Sequence, residues 1–175
     1  QNVFAVRVDH GVTQYEVLDP KHKEAEMFKK LTATFPDTNV KITSRSLDGQ
    51  RFVAELSADT MPLRFVYVDN QANHFQPLSD QLTQIDTTQL AKTYPIQFTA
   101  RDGLAIHGYF TRPNNVSNDH NVPMVTLVHG GPHNIRDYWT YNSEVQLLAS
   151  LGFAVLQVNF RGSSGYGQAF ETAGF

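Results

Sequence analysis

Two nearly unbroken apolar runs constrain this chain more than any other feature. Met124-Val125-Thr126-Leu127-Val128 and Phe153-Ala154-Val155-Leu156-Gln157-Val158 lack the apolar–polar alternation of a half-exposed strand. Runs of this kind suit strands buried on both faces of a parallel sheet. Between them, Val145, Leu148, Ala149 and Leu151 supply the apolar face of a helix. Ser143 and Gln146 have capping-box spacing, and Gly152 is placed to take the left-handed conformation that ends the helix. Strand, helix, strand is a βαβ unit, for which a right-handed crossover is expected.

The first half reads differently. Val3–Val8 and Gln14–Leu18 form a hairpin around His10-Gly11. Met27, Phe28, Leu31 and Phe35 share one face of a helix over 23–35, which Pro36 ends. Strands follow at Val40–Ser46, Arg51–Leu56 and Arg64–Val68, with a short fourth around Phe75; Asp48-Gly49 supplies a hairpin turn. Short antiparallel strands with such turns fit one blade of a β-propeller, and equally a four-stranded sheet on its own. After about Leu90, Ile96–Ala100 and Ala105–Thr111 flank the turn Arg101-Asp102-Gly103, and 114–121 is a polar loop. The fold class is therefore mixed, all-β first and parallel α/β second, with residues 1–90 and 91–175 as the two parts.

Composition excludes several functions. Fourteen Lys+Arg against seventeen Asp+Glu leave a net charge of −3 with no basic block, so nucleic acid is not an expected partner. The absence of cysteine removes disulfides, thiolate nucleophiles and cysteine-ligated zinc. No apolar stretch approaches the roughly 18 residues a membrane span needs. A soluble chain is expected, and the compartment stays open between cytoplasm and periplasm. Its opening Gln1-Asn2-Val3, with neither Met nor signal peptide, reads as a processed or cut-down chain.

The sharpest chemical signal is His129-Gly130-Gly131-Pro132, directly after the first apolar run. Ligand sites in open α/β sheets lie beyond the carboxyl ends of the strands. Paired glycines leave backbone N–H groups unshielded, as an oxyanion hole requires, and Pro132 stiffens the exit. A plain tight turn is the other reading. The second signal, Asn159-Phe160-Arg161-Gly162-Ser163-Ser164-Gly165-Tyr166-Gly167, follows the second run. It matches neither Gly-x-Ser-x-Gly nor Gly-x-Gly-x-x-Gly, so it reads as a structural or substrate-side loop with Ser163 and Ser164 non-catalytic. His129 reads as orienting the glycine loop, His22 and His120 as solvated, and His107 as alternating on its strand. Arg136-Asp137 beside Tyr138 and Trp139 reads as a pocket lining or an ordinary ion pair. Asn115-Val116-Ser117 is a glycosylation sequon, which needs a eukaryotic secretory context. The histidine spacing offers no metal site, and no cofactor is implied.

These two loops, with Gln146-Leu147-Leu148-Ala149-Ser150-Leu151-Gly152-Phe153 between them, resemble the prolyl oligopeptidase family of serine peptidases. The acylaminoacyl-peptidase and dipeptidyl-peptidase branch is the most similar. Arg101-Asp102-Gly103-Leu104 with His107-Gly108-Tyr109 resembles that family's entry into its hydrolase domain, and Ser46-Leu47-Asp48-Gly49 the last blade of its propeller. The resemblance spans about residues 94–170 and is weaker before them. It implies the C-terminal part of a β-propeller followed by the first part of an α/β-hydrolase domain. It also implies a parent that cleaves short peptides by Ser-His-Asp acyl transfer.

Gly131, with Gly130, is then the oxyanion donor, and Arg136 and Tyr166 lie on the substrate side. Nucleophile, acid and base have no counterpart in this chain, which is expected to be inactive alone. The strand Met124–Val128 would present an open edge, covered by the remainder of the same polypeptide or by a second chain. A non-catalytic propeller or interaction module and an α/β-hydrolase esterase are the competing functions.

Overall fold

A computed structural model describes residues 3–80, 82–114, 116, 121–131 and 133–174. Asn115 and Ser117 of the sequon, His120 and Pro132 lie outside the described residues. Ten strands and three α-helices follow in the order β1 (Ala5–Val8), β2 (Gln14–Val17), α1 (Ala25–Thr34), β3 (Asn39–Arg45), β4 (Arg51–Ala58), β5 (Met61–Asp69), β6 (His74–Asp80), β7 (Thr93–Thr99), β8 (Ala105–Thr111), β9 (Met124–Leu127), α2 (Ser143–Ser150), β10 (Ala154–Asn159) and α3 (Gln168–Thr172). Among the described residues sheet dominates, and no sheet closes into a barrel.

β1 and β2 pair as the expected hairpin. β3 to β6 form a four-stranded antiparallel meander in chain order. β4 shows why: Phe52, Ala54, Leu56 and Ala58 alternate into the interior at the two-residue period of a strand. Onto that face packs α1, whose Met27, Phe28 and Leu31 meet Val40, Phe52, Leu56, Val66 and Val68. Phe35 caps the helix at its carboxyl end and packs at the edge of this core.

The second sheet has the order β7-β8-β10-β9. Among the described residues only β9 and β10 run parallel; β7, β8 and β10 pair antiparallel, so the sheet is mixed. β10 is largely buried, as its apolar run requires. β9 is not: Met124 is 54% exposed, and Val128 just past its end 59%, because β9 is the outermost strand and pairs on one side only among the described residues.

The helix between them starts one residue earlier than the capping-box spacing suggests. Asn142, not Ser143, is its N-cap, accepting from the N–H groups of Glu144 and Val145. Gln146 is free of capping because it is buried and bonds elsewhere. Its amide accepts from the Ala91 N–H at 2.8 Å and donates to the Ala91 and Asp59 carbonyls at 2.8 and 3.2 Å. Val145 and Ala149 face the interior, whereas Leu151 sits at the helix end and is 65% exposed. Gly152 does take a positive φ, +91°, and its N–H closes on Ala149 O.

The two sheets meet along a polar seam. Asp59 accepts the Thr93 N–H at 2.7 Å, Trp139 Nε1 donates to Thr93 O at 3.0 Å, and Asn39 Nδ2 donates to Trp139 O at 2.8 Å. Ala58, Tyr109 and Trp139 form a small apolar cluster beside these bonds.

Leu31 has no exposed surface, so Leu31→Ala leaves a cavity between α1 and the meander. The expected cost is about 3 kcal/mol, read from urea unfolding followed by far-ultraviolet circular dichroism. A loss within experimental error would mean that α1 is not packed as described.

Candidate active site

The glycine loop begins at the carboxyl end of β9, and the loop 160–167 at the carboxyl end of β10. Because β9 and β10 are parallel neighbours, both loops emerge on the same side of the sheet. They are joined by backbone bonds from the Asn134 N–H to Gly162 O (3.3 Å) and from the Ser164 N–H to Ile135 O (3.2 Å). Asn159, with no exposed surface, ties them more tightly. Its Oδ1 accepts the Asp137 N–H at 2.7 Å, while Nδ2 donates to Asp137 O at 3.1 Å and Tyr166 Oη at 2.8 Å.

His129 is held from both ring nitrogens. Nδ1 lies 2.8 Å from Gly130 O and Nε2 2.9 Å from Ser163 Oγ, and the ring stacks on Phe160 with centroids 4.4 Å apart. A carbonyl only accepts, so Nδ1 carries the proton, and in the neutral ring Nε2 accepts from the Ser163 hydroxyl. A serine hydroxyl on a histidine nitrogen has the pairing of a nucleophile and its base, but Ser163 is fully buried. No substrate carbonyl can approach it. His129 thus fixes Gly130 and anchors the glycine loop to the second loop.

Gly130 and Gly131 are themselves exposed, and Gly131 has φ +138°, where a side chain is strained. Among the described residues neither glycine N–H has an acceptor. The loop therefore presents two backbone donors at a strand end, held from behind by a buried His–Ser contact.

Arg136 and Tyr166 come together, five and thirty-five residues beyond Gly131 in the chain. Arg136 is only 6% exposed and forms no ion pair among the described residues. Its Nη2 donates to Tyr166 Oη (2.6 Å) and Asp9 O (3.1 Å), its Nε donates to Asp137 O (3.2 Å), and Tyr109 Oη lies 3.5 Å away. The guanidinium also lies over the Tyr166 ring, 4.2 Å from its centroid. A Cβ at Gly165 would stand 2.7 Å from Arg136 Nη1, so the glycine there admits the cation against the backbone.

Around this cation, burial shifts the titrating groups. It raises the Asp137 carboxyl, against the opposing pull of His129, a bond from Gln157 and Arg136. It raises Tyr166 too, opposed by Arg136 and Asn159, and pushes Tyr109 up to about 12. His107 is lowered by burial and by Arg136 and His10; it stacks on Tyr166 at 4.5 Å rather than simply alternating on β8. His22 lies apart and is not freely solvated: it stacks on Phe4 at 4.6 Å. Among the described residues no group of three or more His, Asp or Glu is placed to hold a metal ion, and no helix is long and apolar enough to cross a membrane.

Sequence reasoning did not single out Asn159, Tyr109 or Asp9 as site residues. Asn159 carried a signal, an amide closing an apolar run, which calls for a buried partner. Asp9 carried none, because it contributes through its backbone carbonyl.

Ser163→Ala leaves His129 Nε2 without its partner and should cost about 1–2 kcal/mol, measured by urea unfolding. The raised phenols set an alkaline limit. In the unfolded chain Tyr109 ionises near the ordinary phenol value of 10.0, in the folded chain only at about 12. Protons therefore leave the unfolded state first, and stability should fall as pH rises from 10 toward 12. Tyrosinate absorbance at 295 nm checks this, with a shallower fall expected for Tyr109→Phe.

Residues 139–174 match the model of the prolyl oligopeptidase family. The dipeptidyl aminopeptidase BIII of Pseudoxanthomonas mexicana is 35% identical over 178 residues, covering 98% of this chain and 25% of that protein. An uncharacterized peptidase of Bacillus subtilis is 32% identical over 132 residues, 74% of this chain and 20% of its own length. A puromycin-hydrolyzing peptidase of Mycobacterium tuberculosis superposes with a TM-score of 0.63 at 24% identity, over 76% of this chain and 21% of that one. The chain thus spans a fifth to a quarter of the length of these two relatives. With these likenesses, and the α/β-hydrolase arrangement of strand ends and loops, the chain belongs to the prolyl oligopeptidase family.

Proposed function

We propose that these residues are the oxyanion-side and substrate-side part of a serine-type peptidase that hydrolyses short peptides by acyl transfer. The observation that carries the reading is the exposed Gly130–Gly131 pair at the carboxyl end of β9, with its N–H groups unpaired among the described residues. When a serine hydroxyl attacks a peptide carbonyl, negative charge develops on the carbonyl oxygen. The Gly131 N–H, with Gly130 beside it, donates to that oxygen and stabilises the transition state. The 175 residues contain no Gly-x-Ser-x-Gly. In this reading nucleophile, acid and base come from outside them, and the chain is inactive alone. The relative named a dipeptidyl aminopeptidase supports short peptides as the substrate class.

On this reading, 1–90 is the C-terminal part of a propeller and 91–175 the beginning of the hydrolase domain. The β3–β6 meander has the form of a propeller blade. β9 is the sheet edge that the remainder of the polypeptide, or a second chain, covers. Exposed Met124 on β9 and Val128 just past its end favour such a cover over permanent exposure to water.

Fluorophosphonate labelling with intact-mass detection tests the reading. The expected result is no adduct on the 175-residue chain, and an adduct on a serine outside it in a longer polypeptide that contains it. In that longer polypeptide Gly131→Ala keeps the N–H but is strained at φ +138°, so it should swing the donor off the oxyanion and lower kcat on a peptide substrate about 100-fold with KM little changed. An adduct on Ser163 or Ser164 would overturn the assignment. Folded material that labels nowhere would favour a non-catalytic module, and turnover of short-chain esters but not peptides an esterase.

A further inference from the structure

Between the turn of the N-terminal hairpin and the loop after β9 lies a cleft of about 310 Å³, lined by Arg7, Asp9, His10, Arg136, Tyr138 and Gly165. Two guanidinium groups converge there on one aromatic ring: Cζ of Arg136 is 5.0 Å and Cζ of Arg7 5.9 Å from the Tyr138 centroid. The single acidic residue in the lining, Asp9, is already engaged. Its carboxylate takes Arg7 Nε at 2.9 Å and the Thr13 hydroxyl at 2.7 Å. Two arginines against one aspartate leave a positive charge in excess.

Both arginines keep open donors. Arg136 uses Nε and Nη2 on neutral oxygens, whereas Nη1, beside Gly165, has no acceptor among the described residues. Arg7 uses Nε on Asp9, and its two Nη groups likewise have none. A guanidinium buried among neutral groups is costly unless its charge is compensated. Carbonyls, phenols and ring faces offset part of that cost for Arg136; the Asp137 carboxyl also feels the cation, but burial there works against its charged form.

We propose that this cleft is a carboxylate-binding subsite. Nη1 of Arg136 and the Nη groups of Arg7 take the two oxygens of one carboxylate, a planar anion that matches the guanidinium fork. The Tyr138 ring packs against the atoms next to it. The carboxylate is that of a peptide, either its free C-terminus or an acidic side chain. Only this naming of the ligand rests on the peptidase reading; the converging cations do not.

Titration of the 175-residue chain, followed by the arginine Nε–H resonances, tests the subsite with three peptides: Ala-Ala-Phe, its C-terminal amide, and Ala-Ala-Asp amide. At least one carboxylate-bearing peptide should bind about tenfold more tightly than Ala-Ala-Phe amide, the scale of one charge-assisted hydrogen bond. Preference for the free acid assigns the C-terminal carboxylate, and preference for the aspartyl amide the side chain. Arg7→Gln, at a half-exposed position where folding is not at stake, should erase the preference. Equal binding of all three peptides, a preference that survives Arg7→Gln, or equally tight binding of inorganic phosphate would each overturn the proposal. The readout is binding alone. It stays positive if labelling finds no reactive serine, and a negative result beside a labelled serine removes the subsite and leaves the peptidase reading standing.

Discussion

The buried amide of Asn159 is the interaction on which the rest of the site depends. Its side chain ends β10 with no exposed surface, so its donors and acceptor must be satisfied inside the protein. They are satisfied by both polar backbone groups of Asp137 and by the Tyr166 hydroxyl. One side chain therefore sets the path of the loop after β9 and the place of Tyr166 on the loop after β10. Tyr166 in turn holds Arg136, and Arg136 reaches across to the Asp9 carbonyl in the N-terminal hairpin. Loss of the amide would orphan several buried groups together, a larger penalty than the net worth of one hydrogen bond.

The same economy governs the contact between the two sheets. The seam is not a broad apolar surface; Ala58, Tyr109 and Trp139 form only a small cluster there. Register comes instead from Gln146, Asp59, Asn39 and Trp139, each bonded to backbone of an element distant in the chain. Apolar contacts tolerate sliding, whereas a buried amide or carboxylate has few geometries in which all its partners are present. Burial raises the Asp59 carboxyl, and the Thr93 and Thr60 N–H groups pull it back. The polar seam is thus specific as well as costly, and it fixes how the hairpin turn faces the glycine loop.

Much of this was legible in the residues. The alternation of Phe52, Ala54, Leu56 and Ala58 marks one face of a strand without any knowledge of what covers it. Met27, Phe28 and Leu31 mark a helical face, and the glycine pair after an apolar run marks a strand end with exposed N–H groups. The reading went astray where a residue's role depended on a distant partner. Ser143 and Gln146 have the spacing of a cap, yet Asn142 caps the helix and Gln146 serves the seam. The open edge expected of Met124–Val128 was not among these: β9 pairs on one side only among the described residues. Arg136-Asp137 reads as a pocket lining or an ion pair; Arg136 does line a cleft with Tyr138, but carbonyls, phenols and rings enclose it rather than a paired carboxylate.

By itself, the sequence determined the elements: their order, their apolar faces, the turns that join them, and the two loops where chemistry can sit. These depend on periodicity and on backbone preference, which act over a few residues. The tertiary structure alone decided which side chains meet: His129 with Ser163, Asn159 with Asp137, and Arg136 with the carbonyl of Asp9, 127 positions away. Such pairings follow from strand order and the docking of one sheet on the other. A hydrogen bond needs its two atoms within about 3 Å, a distance that no local pattern encodes.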